Sequence, residues 1–275
     1  MLIRRRYGRK KRIEWNEEKS NRLYDFMAEN SPKETAYFGF QVGQGILRFC
    51  KFFVEDIHSA KCLDYGCGLG HIIKYFLDDG VNIYGVDMSG ESVKLVNEKF
   101  RDYPNWHGAS VYDGKRLPYE DDSFDLITCT EVIEHILPKH MELFLCELNR
   151  ILKPNGKIVF TTPNDENMIL NTMCCPECNT MFHKHGHCNK FTQESLQLLM
   201  ERHDFITIMC NSTDFWCFQE RKIKFLDLSI NKLKRIIWNR FRYLFDSHAN
   251  TTESKYFIDR MHLKRRPNLF YVGTK

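Results

Sequence analysis

The sequence lacks any apolar run approaching the roughly 18 residues that a membrane-crossing helix needs, and it contains no internal repeat and no low-complexity tract. Its basic start, MLIRRRYGRKKR, is followed by neither an apolar segment nor a small-residue cleavage site, so a secretory leader is not expected. A dinucleotide fingerprint is missing too: after Gly66 and Gly68 the third position of G-x-G-x-x-G is His71, and Gly70 comes one residue early. Net charge is small, +4 at pH 7 over 275 residues. These absences argue against a membrane-spanning chain, a repeat architecture and a pyrophosphate loop. Cysteine, by contrast, is plentiful. The eleven cysteines are an odd number, and Cys62, Cys129 and Cys210 lie in strand-like apolar runs where a buried thiol is the simple reading. A reducing, cytoplasmic setting is expected.

With 43% hydrophobic and 13% aromatic residues the chain can bury one substantial core. Strand and helix patterns alternate from Lys61 onward: KCLDYG, then HIIKYFLDD; NIYGVD, then ESVKLVNEKF; SFDLITCT, then a helix to Arg150; GKIVFTTP, then TQESLQLLMERHDF. Such alternation predicts parallel strands joined by right-handed crossovers, an α/β doubly wound Rossmann-like sheet. Ligands of such sheets bind at the carboxyl ends of the strands. The run LDYGCGLG at residues 63–70 places a carboxylate at a strand tip, followed by alternating glycines and a helix, a loop that can wrap a nucleoside closely. It points to S-adenosylmethionine. Asp87 ends the next strand, where an acid can take both ribose hydroxyls. Gly66 to Gly70, Asp87, Asp113 and Glu131 all fall at or past strand ends, so they should converge on one crevice.

The charge is unevenly distributed. Lys plus Arg minus Asp plus Glu is +7 for residues 1–12, −13 for 13–220 and +10 for 221–275. Basic tails are commonly solvated, and they would also suit anionic lipid or nucleic acid. Residues 222–245 repeat apolar side chains at helical spacing (Leu226, Ile230, Leu233, Ile237) with basic residues opposite, as in a basic amphipathic helix. Core packing accounts for it equally well; peripheral contact with an anionic membrane is the alternative.

Over residues 61–212 plus the last strand, the chain resembles the class I S-adenosylmethionine-dependent methyltransferases. The likeness rests on LDYGCGLG, GVD, LPYEDDSFDLITCTEVIEHI and ILKPNGKIVFTTPN. It implies a seven-stranded sheet with the last strand antiparallel. It also implies cofactor contacts at Asp64, Gly66, Cys67, Gly68, Gly70, Asp87 and Met88, with adenine near Tyr112 and Asp113. EVIEH with a later histidine resembles ubiquinone-pathway O-methyltransferases and small-RNA terminal 2′-O-methyltransferases. TTPNDEN, CPEC, FHKHGH and KFT resemble bacterial methyltransferases associated with cell-surface glycan assembly.

If EVIEH opens a helix, Glu131, Glu134 and His135 share one helical face and point into the crevice. Two acids and an imidazole suit Mg²⁺ or Zn²⁺, and the resemblance supplies His187 as a fourth ligand. A polar helix start with a capping histidine is the plainer alternative. Methyl transfer needs an aligned acceptor oxygen and a way to remove its proton, the role expected for this cluster. Separately, Cys175, Cys178, His183 and Cys188 follow C-x2-C-x4-H-x4-C, the spacing of structural zinc, with His187 able to replace Cys188.

The expected organisation is therefore an N-terminal helical and basic segment with a lid at 1–59, and a methyltransferase domain at 60–212 and 267–275. That domain carries a zinc-binding insertion at 172–190, and a basic amphipathic insertion spans 213–266. The expected function is O-methylation of a small molecule or cell-surface glycan precursor. An RNA 2′-O-methyltransferase and a non-catalytic cofactor-binding module are the alternatives. The missing glycine pattern of nucleic-acid zinc knuckles weighs against RNA.

Overall fold

The computed structural model describes residues 11–30, 37–112, 114–213, 215 and 268–275. Six helices accompany the sheet among them: α1 (Glu17–Glu29), α2 (Phe38–Cys50), α3 (His71–Asp78), α4 (Gly90–Phe100), α5 (Met141–Ile151) and α6 (Gln193–Glu201). The strands are β1 (Lys61–Tyr65), β2 (Asn82–Asp87), β3 (Trp106–Val111), β4 (Phe124–Thr130), β5 (Leu152–Pro163), β6 (Thr172–Cys174), β7 (Met181–His183), β8 (Ile206–Thr213) and β9 (Asn268–Thr274). Seven of them form one sheet in the order β3-β2-β1-β4-β5-β9-β8, and β6 pairs with β7 in a separate hairpin.

β1 through β5 pair in parallel, whereas β9 runs antiparallel to both β5 and β8. The expected seven-stranded sheet with its antiparallel last strand is what forms. Central strands are covered on both faces, so they read as apolar runs. Leu63, Phe124, Ile127, Ile158, Phe160 and Tyr271 are fully buried, each large apolar side chain contributing about 1.5–3 kcal/mol on burial.

β3 was not among the expected strands. It lies at the sheet edge, and its WHGASV run alternates only between half-buried and exposed. Its single neighbour, β2, shifts register between Ile83 and Gly85. Without a second partner such a strand needs no apolar run to announce it.

The helix expected to open at EVIEH does not begin there. Glu131 adopts a left-handed backbone (φ 54°), and a 3₁₀ turn follows at Ile133–His135 and another at Pro138–His140, before α5 starts at Met141. A non-glycine residue at positive φ interrupts helix propagation. Leu137 takes an extended conformation (ψ 135°) before Pro138, as the proline ring demands.

The aromatic YFGFQVG stretch, residues 37–43, packs against α3. Tyr37 stacks on His71 at 4.6 Å, and a Cβ at Gly43 would lie 2.3 Å from the Tyr75 ring, so α2 approaches α3 closely only because Gly43 is bare. The amphipathic stretch at 222–245 and Asp113 lie outside the described residues. Among the described residues no helix is long and apolar enough to cross a membrane.

Candidate functional site

The glycine loop turns sharply at the tip of β1. Gly66, Gly68 and Gly70 have φ of +75°, +48° and +73°, the left-handed region that favours glycine. A Cβ at Gly66 would meet Val132 at 2.3 Å and one at Gly70 would meet the Phe100 ring at 2.4 Å, whereas a Cβ at Gly68 would meet nothing within 4 Å. Two glycines therefore serve packing and the middle one faces open space. Cys67 is buried behind the loop, its Sγ 3.0 Å from where a Cβ of Gly85 would stand.

Asp87 at the end of β2 accepts the Gly68 N–H at 2.8 Å and the Ser89 N–H at 2.9 Å. Burial raises its pKa, and the N–H groups of Ser89, Gly68 and Met88 partly oppose that rise. Asp64 is 3% exposed and accepts the Thr128 hydroxyl at 2.8 Å. Burial pushes its pKa up to about 7 against that hydroxyl, with Asp87 adding to the rise. Met88 is half-buried beside Asp87, and Tyr112, just past β3, is 6% exposed and donates its backbone N–H to the Asp87 carbonyl. These positions all lie at or just past the carboxyl ends of β1, β2 and β3, the edge of such a sheet where ligands bind.

The acid and histidine groups assemble beside it. Glu134, His135 and His187 bring ligand-type atoms within 4.8 Å of one another. Glu134 is 1% exposed; its Oε2 accepts the Thr162 hydroxyl at 2.9 Å, and its buried Oε1 has no hydrogen-bond partner. Burial and the neighbouring Glu131 carboxylate drive its pKa up. The His135 Nδ1 lies 3.0 Å from the Tyr24 hydroxyl. Burial, then His187, lowers the His135 pKa to about 3, with the nearby Gly186 carbonyl opposing that fall, so the ring is neutral.

Glu131 stands apart from this trio. Its Oε1 accepts the Thr161 hydroxyl at 2.8 Å and the Asn268 amide at 3.4 Å, which tie it to β5 and β9. The left-handed backbone turns it toward those strands, so the expected helical face of three ligands becomes a pair plus a neighbouring acid.

His187 arrives by backbone docking. The Glu134 carbonyl accepts the N–H groups of Cys188 at 2.8 Å and Asn189 at 3.0 Å, fixing the end of the insertion on the EVIEH turn. The N-terminal segment clamps its other side: Met181 N–H donates to the Lys11 carbonyl and Ile13 N–H to the Met181 carbonyl, extending β7 with a parallel bridge at Arg12. α1 then covers the junction, where bare Gly186 admits Tyr24.

The C-x2-C-x4-H-x4-C set is not assembled, a correction to the expected zinc clasp. In the β6–β7 hairpin His183 pairs with Thr172, while Cys175 and Cys178 sit in the connecting turn past Cys174. Three extended residues separate the two ends by about 10 Å. The His183 ring is directed to Glu166 and His187 instead, and Cys188 lies on the EVIEH turn. Cys178 is exposed, with Thr180 and Cys175 as its partners, which lower its thiol pKa.

Glu166 lies in the TTPNDEN run but was not among the expected site residues. Nothing in the local pattern distinguishes it from a loop acid; only the fold brings it within 2.5 Å of His187 Nδ1. A cavity of about 300 Å³ opens on the same side, with Trp15, Leu137, Met168, Phe182, His183 and His187 in its wall.

A methyltransferase-domain family model matches residues 18–208. The chain belongs to that family. Among curated relatives it is 32% identical over 129 residues to norajmaline N-methyltransferase of Rauvolfia serpentina, covering 44% of this chain and 42% of that protein. It is 27% identical over 129 residues to the ubiquinone biosynthesis O-methyltransferase of Idiomarina loihiensis, covering 43% and 48%. The chain spans 30% to 65% of the length of the first curated relatives it matches. Among solved structures, the PH0226 protein of Pyrococcus horikoshii superposes with a TM-score of 0.57 at 15% identity, covering 95% of this chain and 99% of that one. Phosphoethanolamine N-methyltransferase 2 of Haemonchus contortus, in complex with S-adenosyl-L-methionine, gives 0.56 at 17%, covering 92% and 60%. These likenesses agree with the Rossmann-like fold.

Proposed function

We propose that this chain is an S-adenosylmethionine-dependent methyltransferase that methylates an oxygen of a small molecule or glycan precursor, assisted by a divalent metal. The observation that carries the reading is Glu134, whose buried Oε1 has no hydrogen-bond partner and whose carboxylate lies within 4.8 Å of the His135 and His187 rings, next to the end of β4. A buried carboxylate oxygen without a partner is costly unless a ligand completes it. One carboxylate and two imidazoles suit Zn²⁺ or Mn²⁺. The open space over Gly68 and the two strand-end acids suit close approach of a cationic, nucleoside-bearing methyl donor.

Within this reading Asp87 orients the ribose and Asp64 faces the positive end of the donor. When bound, a metal lowers the pKa of an acceptor hydroxyl and fixes its position. Glu134, His135 and His187 would hold the metal, and Glu131, whose pKa burial raises to about 7, can take the acceptor's proton. α1 and the insertion exclude water by covering the junction. Relatives named for a sterol, norajmaline and ubiquinone biosynthesis support a small-molecule acceptor.

The test is transfer of labelled methyl from S-adenosylmethionine to a panel of catechols, alkaloids and sugar derivatives, with Mg²⁺, Mn²⁺, Zn²⁺ or chelator present. Turnover of a hydroxyl-bearing acceptor that chelator abolishes is the expected result. Methylation confined to amines, or full turnover in chelator, would overturn the oxygen and metal parts respectively.

A further inference from the structure

Glu166 stands at the centre of a polar cluster with His183, His187 and Asn171, apart from the glycine loop and Asp87. Its side chain is 12% exposed, and it follows β5 in the loop leading to the β6–β7 hairpin. Oε2 lies 2.5 Å from His187 Nδ1. Oε1 accepts the Asn171 amide at 2.6 Å and lies 3.3 Å from His183 Nε2, an ion-pair approach outside hydrogen-bond alignment.

The trio Glu166, His183 and His187 has the composition of a metal site, yet its hydrogen bonds give it another role. His183 Nδ1 accepts the backbone N–H of His187 at 3.2 Å and that of His185 at 3.4 Å. A neutral ring that accepts at Nδ1 carries its proton on Nε2, the nitrogen facing Glu166. His183 therefore has no lone pair to give a cation there. A carboxylate only accepts, so the His187 nitrogen against Glu166 is the protonated one, and the lone pair of His187 sits on Nε2.

Ring packing holds that choice in place. His187 is stacked on His183 at 4.2 Å and 26°, and it meets His135 nearly edge-on at 4.7 Å and 79°. We propose that Glu166 is a positioning residue that fixes His187 as the Nδ1–H tautomer, with Nε2 presented to Glu134 and His135, and that His183 is its buttress and not a ligand. Histidines that bind metals commonly donate their other N–H to a carboxylate, which sets ring orientation and raises ligand basicity. The purpose given to this arrangement rests on the metal reading above; the tautomer itself does not.

Long-range ¹⁵N–¹H correlation spectra of the imidazoles in metal-free protein test the assignment. Wild type should show His187 with a protonated Nδ1 and an unprotonated Nε2. Glu166→Ala should give a tautomer mixture and lower Mn²⁺ or Zn²⁺ affinity by about 10- to 100-fold in calorimetry, with the far-ultraviolet dichroism of wild type. If Glu166→Ala does not fold, Asn171→Ala, which frees Oε1 alone, should shift the mixture in the same direction by less. An Nε2–H tautomer in wild type, or a tautomer and affinity unmoved by both variants, overturns the proposal. Should wild type bind no divalent cation, the metal reading falls, and the metal-free spectra still decide the role of Glu166.

Discussion

The Tyr24 hydroxyl meets His135 Nδ1 at 3.0 Å, joining a helix near the start of the chain to the turn after β4. The next residue, Asp25, accepts the Ser89 hydroxyl at 2.6 Å beside Asp87. Two adjacent residues of α1 thus touch both the imidazole cluster and the Asp87–Ser89 turn after β2. Tyr24→Phe leaves His135 without that partner in a buried setting and should destabilise the protein by about 1–3 kcal/mol. Urea unfolding monitored by tryptophan fluorescence measures it; no change in midpoint would show that α1 is not held by this bond.

Asp87→Ala should weaken S-adenosylmethionine binding by about 1.5–3 kcal/mol, the worth of hydrogen bonds to a charged group. The loss includes the loop itself, because the same carboxylate holds the Gly68 and Ser89 N–H groups. Calorimetric titration gives the affinity directly, and an unchanged value would remove Asp87 from the cofactor contacts.

The glycine loop separates packing from ligand approach. Gly70→Ala should lower the melting temperature, because its Cβ would stand 2.4 Å from the Phe100 ring at a φ of +73°. Gly68→Ala meets no protein atom within 4 Å and suffers only the left-handed backbone, about 1–2 kcal/mol. It should weaken cofactor binding more than Gly70→Ala does relative to the melting temperature each loses. Paired thermal and binding measurements check this, with equal ratios counting against it.

Cofactor affinity should rise with pH. Asp64 has its pKa raised by burial to about 7, and a cationic donor favours its carboxylate form. Affinity should therefore be about tenfold weaker at pH 6 than at pH 8, with proton release on binding. For the unliganded fold the sign reverses: the folded state holds this proton more tightly than the unfolded chain. That contribution to stability is complete below the ordinary carboxylate range and is lost as pH climbs to about 7. Titrations in buffers of different ionisation enthalpy report the released proton, and Asp64→Asn should flatten the profile.

Brief alkylation followed by mass spectrometry should label Cys174 and Cys178, which are exposed, and leave the buried Cys62, Cys67 and Cys129 unmodified. Protection of Cys178 that chelator relieves would mean that a metal holds it after all.

The doubly wound core was legible in the sequence because the central strands β1, β4 and β5 are buried on both faces and read as apolar runs, and α3 and α4 closely follow β1 and β2. The positions of Asp64, Gly66 to Gly70 and Asp87 followed from the same rhythm: residues at and just past a strand's last turn of pleat necessarily reach the sheet's carboxyl edge. Spacing failed where the chain departs from regular geometry. The left-handed Glu131 breaks the helical face expected of EVIEH, and the β6–β7 hairpin stretches His183 away from Cys175 and Cys178, although their separation in sequence suits zinc. Glu166 and Tyr24 carry no local signal at all. Tertiary structure alone decided that they meet His187 and His135, because such contacts arise from backbone docking between segments far apart in the chain, which neither periodicity nor ligand spacing encodes.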